Sequence, residues 1–299
     1  MKCVPLHKGL KLYAPAKINL TLEILYRRAD GYHQLQTVMQ ELAYSDLLYL
    51  EECPAGRLEL ICDDPFLPSS EENLALRAAS LIQQHYAPHR GAHLALYKKI
   101  PVAAGLGGGS SDAATVLKGL NDLWQLNLAP ASLQELAARL GSDVPFFLCG
   151  GTALAQGRGE IIHPLPPFPR AFVLLVSPPG TELSTPLVYR SLKWDKIKSG
   201  EKTANFVQLL RDGTGKSSGD PDLLARLLEL MVNDLEAGAF ALVRELSPLK
   251  KMLQEMGLKP LLSGSGPTFF AISNDHEKLR AAGDELTSRG YRVILTSTK

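Results

Sequence analysis

The chemistry-bearing residues of this chain cluster first in KKIPVAAGLGGGSSDAATVLKGL, residues 98–120, where four glycines and two serines fall between Gly105 and Ser111. Asp112 and an apolar run follow at once. Glycine lets backbone approach a ligand closely and adopt positive φ. A helix N-terminus adds unpaired N–H groups and about half a positive charge. Glycine-rich backbone opening directly into a helix is therefore an anion cradle, and the commonest anion that needs one is a phosphate chain. The hydroxyls of Ser110 and Ser111 can reach phosphate oxygens or a Mg²⁺ ion.

Two familiar phosphate loops do not fit. A Walker loop places a lysine after its glycines, and none follows here. A dinucleotide fingerprint requires glycine where Ser110 stands, three residues after Gly107. The tail of a Walker loop does occur in GTGKSS, residues 213–218, but Leu210 replaces its leading glycine and no strand precedes it. It reads as a chance match inside a polar, solvated insertion over residues 194–220. His85, His89 and His93 mimic a metal-binding helical face, yet Pro88 and Gly91 interrupt any helix there, so they read as structural or solvated histidines.

Three further segments carry reactive or turn-forming types. Lys17 sits between Ala16 and Ile18 in an apolar segment, as a surface lysine or as a functional cation. Asp143 precedes Val144-Pro145, as a helix cap or as a reactive carboxylate. SGSGP, residues 263–267, is a turn or a second ligand loop.

The elements that must position these groups are legible from periodicity. KINLTLEIL alternates Ile18, Leu20, Leu22 and Ile24 with polar residues, which predicts a half-buried strand, and Asp30-Gly31 predicts the turn after it. Strands are predicted in DLLYLE, RLELIC and AHLALYKK. Helices are predicted at residues 73–86, with Asn73 as cap, at 112–124 directly after the glycines, and at SLQELAARL, with Ser132 and Glu135 as a capping box and Gly141 as its stop. Proline-rich HPLPPFPR, residues 163–170, marks a boundary. Beyond it come a strand in AFVLLV, helices near 222–236 and 247–256, PLLSGSGPTFFAIS, a helix from Asp275 and a closing strand in YRVILT. This alternation predicts an α+β sandwich.

Composition narrows the partners. Thirty-two basic against 31 acidic residues leave a net charge of +1, which argues against a broad nucleic-acid or membrane footprint. No apolar run reaches membrane-spanning length. Cys3, Cys53, Cys62 and Cys149 are scattered without metal or redox spacing, as expected of reduced thiols in a cytoplasmic protein.

APAKINLTL, GLGGGSSDAA, GSDVPFF and SGSGPT occur in that order and resemble the signature segments of the GHMP kinases. RRADGYHQLQTV resembles more narrowly the members that act on a cytidine-diphosphate-linked methylerythritol in non-mevalonate isoprenoid synthesis. The resemblance runs from about residue 10 to the C-terminus. It implies an α+β fold of two domains with substrates between them: residues 1–166, like ribosomal protein S5 domain 2, and residues 167–299, a ferredoxin-like α/β sandwich.

It further implies ATP as donor, its triphosphate wrapped by Pro101, Val102, Ala103, Ala104, Gly105, Leu106, Gly107, Gly108, Gly109, Ser110 and Ser111. Lys17 and Asp143 are the implied catalytic pair, acting on the tertiary C2 hydroxyl of the acceptor. Tyr32 and His33 are implied at the cytosine, with Tyr189 as a second aromatic partner, and Asn19 and Lys99 at the hydroxyl or phosphate end. Mg²⁺ is implied by the charge of the nucleotide; related kinases pair a serine with a glutamate for it, and no such glutamate is identifiable here. The implied partner is a small molecule, with neither nucleic acid nor membrane, and the protein is a monomer or homodimer. Two alternatives stay open: a mevalonate- or homoserine-type kinase, and a nucleotide-binding relative without catalysis.

Overall fold

The computed structural model describes residues 9–53, 56–70, 72–192, 200–214 and 222–299. The chain begins with two long strands, β1 (Gly9–Arg27) and β2 (His33–Cys53), joined by the expected turn. Gly31 takes φ +85° there, and Asp30 Oδ1 accepts from Tyr32 N–H. β3 (Leu58–Cys62), α1 (Leu74–Tyr86) and β4 (Gly91–Tyr97) follow, with Asn73 capping α1 through Ala75 N–H. Next come α2 (Gly108–Leu123), α3 (Pro130–Leu140), α4 (Val144–Cys149), β5 (Thr152–Gly157) and β6 (Ile161–Pro164). The remainder comprises β7 (Phe172–Ser177), α5 (Thr185–Arg190), α6 (Glu201–Thr214), α7 (Leu223–Glu229), β8 (Val232–Asn233), α8 (Glu236–Leu242), α9 (Leu246–Glu255), β9 (Leu261–Leu262), β10 (Phe269–Ser273), α10 (His276–Ser288) and β11 (Arg292–Ser297).

Among the described residues the strands form two sheets. The larger runs β3-β4-β2-β1-β8, with β5 also on β2 and β6 on β5; the smaller is β11-β7-β10-β9. All pairs of the smaller sheet are antiparallel. Numbered from β7, its strands lie in the order 4-1-3-2, with helices between the first and second and between the third and fourth. That is the split βαβ arrangement of ferredoxin-like folds.

The chain divides into two compact units: residues 1–16, 44–101 and 107–149, and residues 17–43, 102–106 and 150–299. In the first, Ala75, Ala78, Ala79 and Ile82 of α1 are buried with Ala113, Val116, Leu117 and Leu120 of α2. Gly119 of α2 has no room for a side chain, since a Cβ would meet Leu50 and Leu12 at 2.4 and 2.5 Å. In the second, Leu174, Val176, Phe269, Leu279 and Leu286 belong to one apolar cluster with Leu22 and Ile24 of β1.

Several expectations are corrected. β1 is not half-buried: Lys17, Asn19, Thr21 and Glu23 are as buried as the apolar residues that alternate with them. Alternation reports which face is polar, but burial depends on what covers each face, and both are covered. α3 starts at Pro130 from Ala129, with no side-chain cap, so Ser132 and Glu135 form no capping box. Proline at the first helical position, with its preset φ, sets the start instead. α2 begins at Gly108, four residues before the predicted start, and β8 lies inside a stretch read as helix.

The solvated insertion also fails where it is described. α6 buries Phe206, Val207 and Leu210; Phe206 lies parallel to Phe168 at 6.2 Å, and Thr203 N–H donates to the buried Glu23 carboxylate at 2.7 Å. Most of the Walker-like GTGKSS lies outside the described residues.

Candidate active site

In the first unit Lys98, Asp46 and Asp112 form one buried charge cluster, with Lys98 before the glycine segment and Asp112 after it. Lys98 follows β4 and Asp112 lies in the first turns of α2. Lys98 Nζ donates to Asp112 Oδ2 at 2.6 Å and to Asp46 Oδ2 of β2. Asp46 Oδ1 accepts the N–H groups of Lys99 and Ile100, at 2.5 and 2.8 Å. Burial alone would lower the Lys98 pKa, but the two carboxylates hold it above the ordinary lysine value. Burial pushes Asp112 up to about 7, against the pull of Lys98 and with the help of Asp46. Two carboxylates thus share one ammonium, and burial together with the neighbouring Asp46 makes the Asp112 carboxyl harder to ionise.

Between these anchors the backbone takes left-handed conformations at Ala103, Gly105 and Gly107, with φ of 51°, 76° and 73°. Gly107 caps α2 without a side chain, so no side chain occupies the N–H groups of the first turn. A Cβ on Gly109 would meet no protein atom within 4 Å. Ser111 is fully buried, and its Oγ has no hydrogen-bond partner among the described residues; Ser110, only half-buried, offers the more accessible hydroxyl. Open glycine backbone at an uncapped sixteen-residue helix fits a polyphosphate. Asp143, half-buried, directly precedes α4 in this unit. Lys99 is exposed, and its main chain carries the contacts just described.

In the second unit Lys17 Nζ donates to Asn19 Oδ1 at 2.7 Å, and Asn19 Nδ2 donates to Thr37 Oγ1 at 2.9 Å. The SGSGP turn borders this pair: a Cβ on Gly264 would lie 3.3 Å from Asn19 Oδ1 and 3.4 Å from Lys17 Nζ. Asn233 Nδ2 holds the turn through the carbonyls of Leu262 and Gly264. Ser263 Oγ donates to the Gly105 carbonyl at 2.9 Å, and Lys17 N–H to the Leu106 carbonyl at 3.0 Å. Three segments remote in sequence therefore meet: β1 at Lys17, residues 105–106 and residues 263–266.

Tyr32, His33 and Tyr189 are the aromatic residues implied at the cytosine. His33 stacks on Tyr189, with centroids 4.9 Å apart and planes at 20°. Tyr32 is 54% exposed, and the Arg158 guanidinium lies 4.7 Å from its ring centre. Burial, aided by Arg27, lowers the His33 pKa, which keeps the imidazole neutral at pH 7.

Asp46, Lys98, Asp112, Thr37 and Arg158 were not singled out by sequence reasoning. Lys98 and Asp112 flank the glycines and were within reach of it; Thr37 and Asp46 carry no local signal. Among the described residues no group of three or more His, Cys, Asp or Glu side chains could hold a metal ion. No helix there is long and apolar enough to cross a membrane.

Comparison with known proteins agrees with this architecture. A model of the GHMP kinases N terminal domain matches residues 73–151, and one of the GHMP kinases C terminal domain matches residues 206–292. Both halves of a GHMP kinase are present, in the family's order. A homoserine kinase from Cytophaga hutchinsonii shares the fold, with a TM-score of 0.74 at 19% identity over 100% of this chain and 97% of that one.

Similarity to one branch is much higher. The 4-diphosphocytidyl-2-C-methyl-D-erythritol kinase of Shouchella clausii is 42% identical over 95% of this chain and 94% of its own; that of Alkaliphilus metalliredigens is 37% identical over 94% and 93%. The crystal structure of a 4-(cytidine 5'-diphospho)-2C-methyl-D-erythritol kinase superposes with a TM-score of 0.79 at 35% identity, covering 97% of this chain and 99% of that one. The chain belongs to the 4-diphosphocytidyl-2-C-methyl-D-erythritol kinase family of GHMP kinases.

Proposed function

We propose that this protein transfers the γ-phosphate of ATP to the C2 hydroxyl of 4-diphosphocytidyl-2-C-methyl-D-erythritol. The observation that carries the reading is an uncapped α2 N-terminus opened by Gly107, in a chain similar almost end to end to kinases of that name. Residues 1–166 form the N-terminal, ATP-binding domain and residues 167–299 the C-terminal domain. The α2 N-terminus and the backbone of residues 101–111 bind the triphosphate. Ser110 is the accessible hydroxyl that would hold a Mg²⁺ ion, which would offset the charge of the nucleotide.

Lys17 and Asp143 act on the acceptor. The C2 oxygen bonds to the γ-phosphorus as the bond from that phosphorus to the β,γ-bridging oxygen breaks. The hydroxyl proton passes to Asp143, and ADP leaves. Phosphoryl transfer has a loose transition state, so a weak base is sufficient and positioning dominates. The Lys17 ammonium, oriented by Asn19, offsets the charge that develops on the transferring group. His33, Tyr32 and Tyr189 bind the cytosine, with the neutral His33 imidazole suited to hydrogen bonding at a base edge.

The test is ADP release from ATP and Mg²⁺ with the cytidyl compound, mevalonate and homoserine offered in parallel. Turnover with the cytidyl compound alone is expected. Turnover only with mevalonate or homoserine, or with no acceptor, refutes the proposal. Asp143→Ala is expected to lower kcat by several orders of magnitude with ATP binding nearly intact by calorimetry; near-normal turnover removes Asp143 from the mechanism.

A further inference from the structure

We infer that Thr37 is a positioning residue for phosphoryl transfer, its hydroxyl fixing the Asn19 carboxamide in the one orientation that presents Oδ1 to Lys17. The inference rests on the proposed role of Lys17 and concerns a residue two contacts removed from its ammonium.

Proton direction sets the orientation of the Asn19 amide. Thr37 lies on β2, 1% exposed, and its hydroxyl carries a single proton. That proton goes to the main-chain carbonyl of Thr21, which can only accept. The hydroxyl therefore faces Asn19 as an acceptor. Asn19 meets it with Nδ2 at 2.9 Å, and this leaves Oδ1 for the Lys17 ammonium at 2.7 Å. A flipped amide would set NH₂ against an ammonium and carbonyl oxygen against a hydroxyl lone pair. Both contacts would become repulsive. Threonine at 37 thus decides the orientation of an amide that could otherwise face either way.

The surroundings make that decision matter. Lys17 and Asn19 are 3% and 2% exposed, so water cannot readily replace a lost partner. Lysine reaches its site on a flexible four-carbon stem, and the Gly264 backbone borders Asn19 Oδ1 and Lys17 Nζ on one side. Thr21 is held in turn, its Oγ1 accepting Val38 N–H and the Thr203 hydroxyl at 3.0 and 2.9 Å. The polar face of β1, buried against the sequence-based expectation, is a rigid relay that ends at the Lys17 ammonium.

Thr37→Val keeps the branched shape and removes the hydroxyl; Thr37→Ser keeps the hydroxyl and removes the methyl. With ATP and the cytidyl substrate, Thr37→Val is expected to lose roughly 10–100-fold in kcat, the range expected when a charged group is misplaced by about 1 Å. Its KM for ATP stays within about twofold, because uniform binding is untouched. Thr37→Ser is expected to retain most of kcat. On a Lys17→Met background Thr37→Val is expected to cost nothing further in kcat, because it acts through Lys17.

Normal kcat in Thr37→Val, a Thr37→Ser variant as slow as Thr37→Val, or a full additional loss on the Lys17→Met background each overturns the inference. A fall in melting temperature with kcat intact does so too, since it assigns Thr37 to packing alone. Lys17→Met by itself separates the two readings. If that variant turns over normally, the role of Lys17 is wrong; if it collapses while Thr37→Val is normal, only the inference about Thr37 is wrong.

Discussion

Two glycines in the same phosphate-binding segment separate protein packing from ligand approach. Gly105 adopts φ +76°, and a Cβ there would lie 2.1 Å from the Ser263 carbonyl oxygen and 3.1 Å from both N and O of Gly266. In Gly105→Ala the left-handed backbone costs about 1–3 kcal/mol. Relieving the contact means moving the Ser263 turn by about 1 Å, an overpacking cost of about 1–3 kcal/mol. The sum, about 2–6 kcal/mol, corresponds to a fall in Tm on the order of 3–10 °C for a chain of this size.

Gly109 is the opposite case, with negative φ and no protein atom within 4 Å of the added Cβ. Gly109→Ala places a better helix former in the first turn of α2 and should be neutral or stabilising by up to about 1 kcal/mol. The methyl can meet only what binds there, so KM for ATP should rise while Tm does not fall. The assay is thermal melting by circular dichroism alongside steady-state kinetics with ATP varied. A Gly105→Ala variant that melts within about 1–2 °C of the parent (about 1 kcal/mol) would refute the packing argument. An unchanged KM for ATP in Gly109→Ala would refute close approach of the nucleotide to that backbone.

Two further outcomes follow from the charge cluster and the aromatic group. Asp112 is held up to about 7 against an ordinary 3.8, so across that window the folded protein keeps a proton that the unfolded chain has lost. Stability therefore falls as pH rises from about 4 to about 7, and Asp112→Asn should remove that decline. A gap in stability between variant and parent that stays flat across the window, measured by denaturant titration, would contradict it. Tyr32→Ala should raise KM for the cytidyl substrate by roughly 5–150-fold, the equivalent of a stack worth about 1–3 kcal/mol, with KM for ATP unchanged; equal KM values for both proteins would remove Tyr32 from the base subsite.

What was legible beforehand had local causes. The glycine segment announced its backbone freedom, Asn73 its cap, and the second half its alternation of helix and strand. The mistakes share a cause as well. Ser132 and Glu135 have capping-box spacing, but Pro130 starts α3 two residues earlier. Residues 200–214 look solvated by composition, yet Phe206 and Leu210 are wholly buried and Thr203 N–H finds Glu23, 180 positions away along the chain.

The sequence by itself determined which residue types could carry the chemistry and which local elements would present them, because periodicity, glycine content and turn types act over a few neighbours. Tertiary structure alone decided that Lys98 is shared by Asp46 and Asp112, that Ser263 closes on Gly105, and that Thr37 orients Asn19 toward Lys17. Partners separated by as many as 158 positions are chosen by strand register and by which face of the sheet is covered. Both follow from the burial of the whole core, which no short window of residues contains.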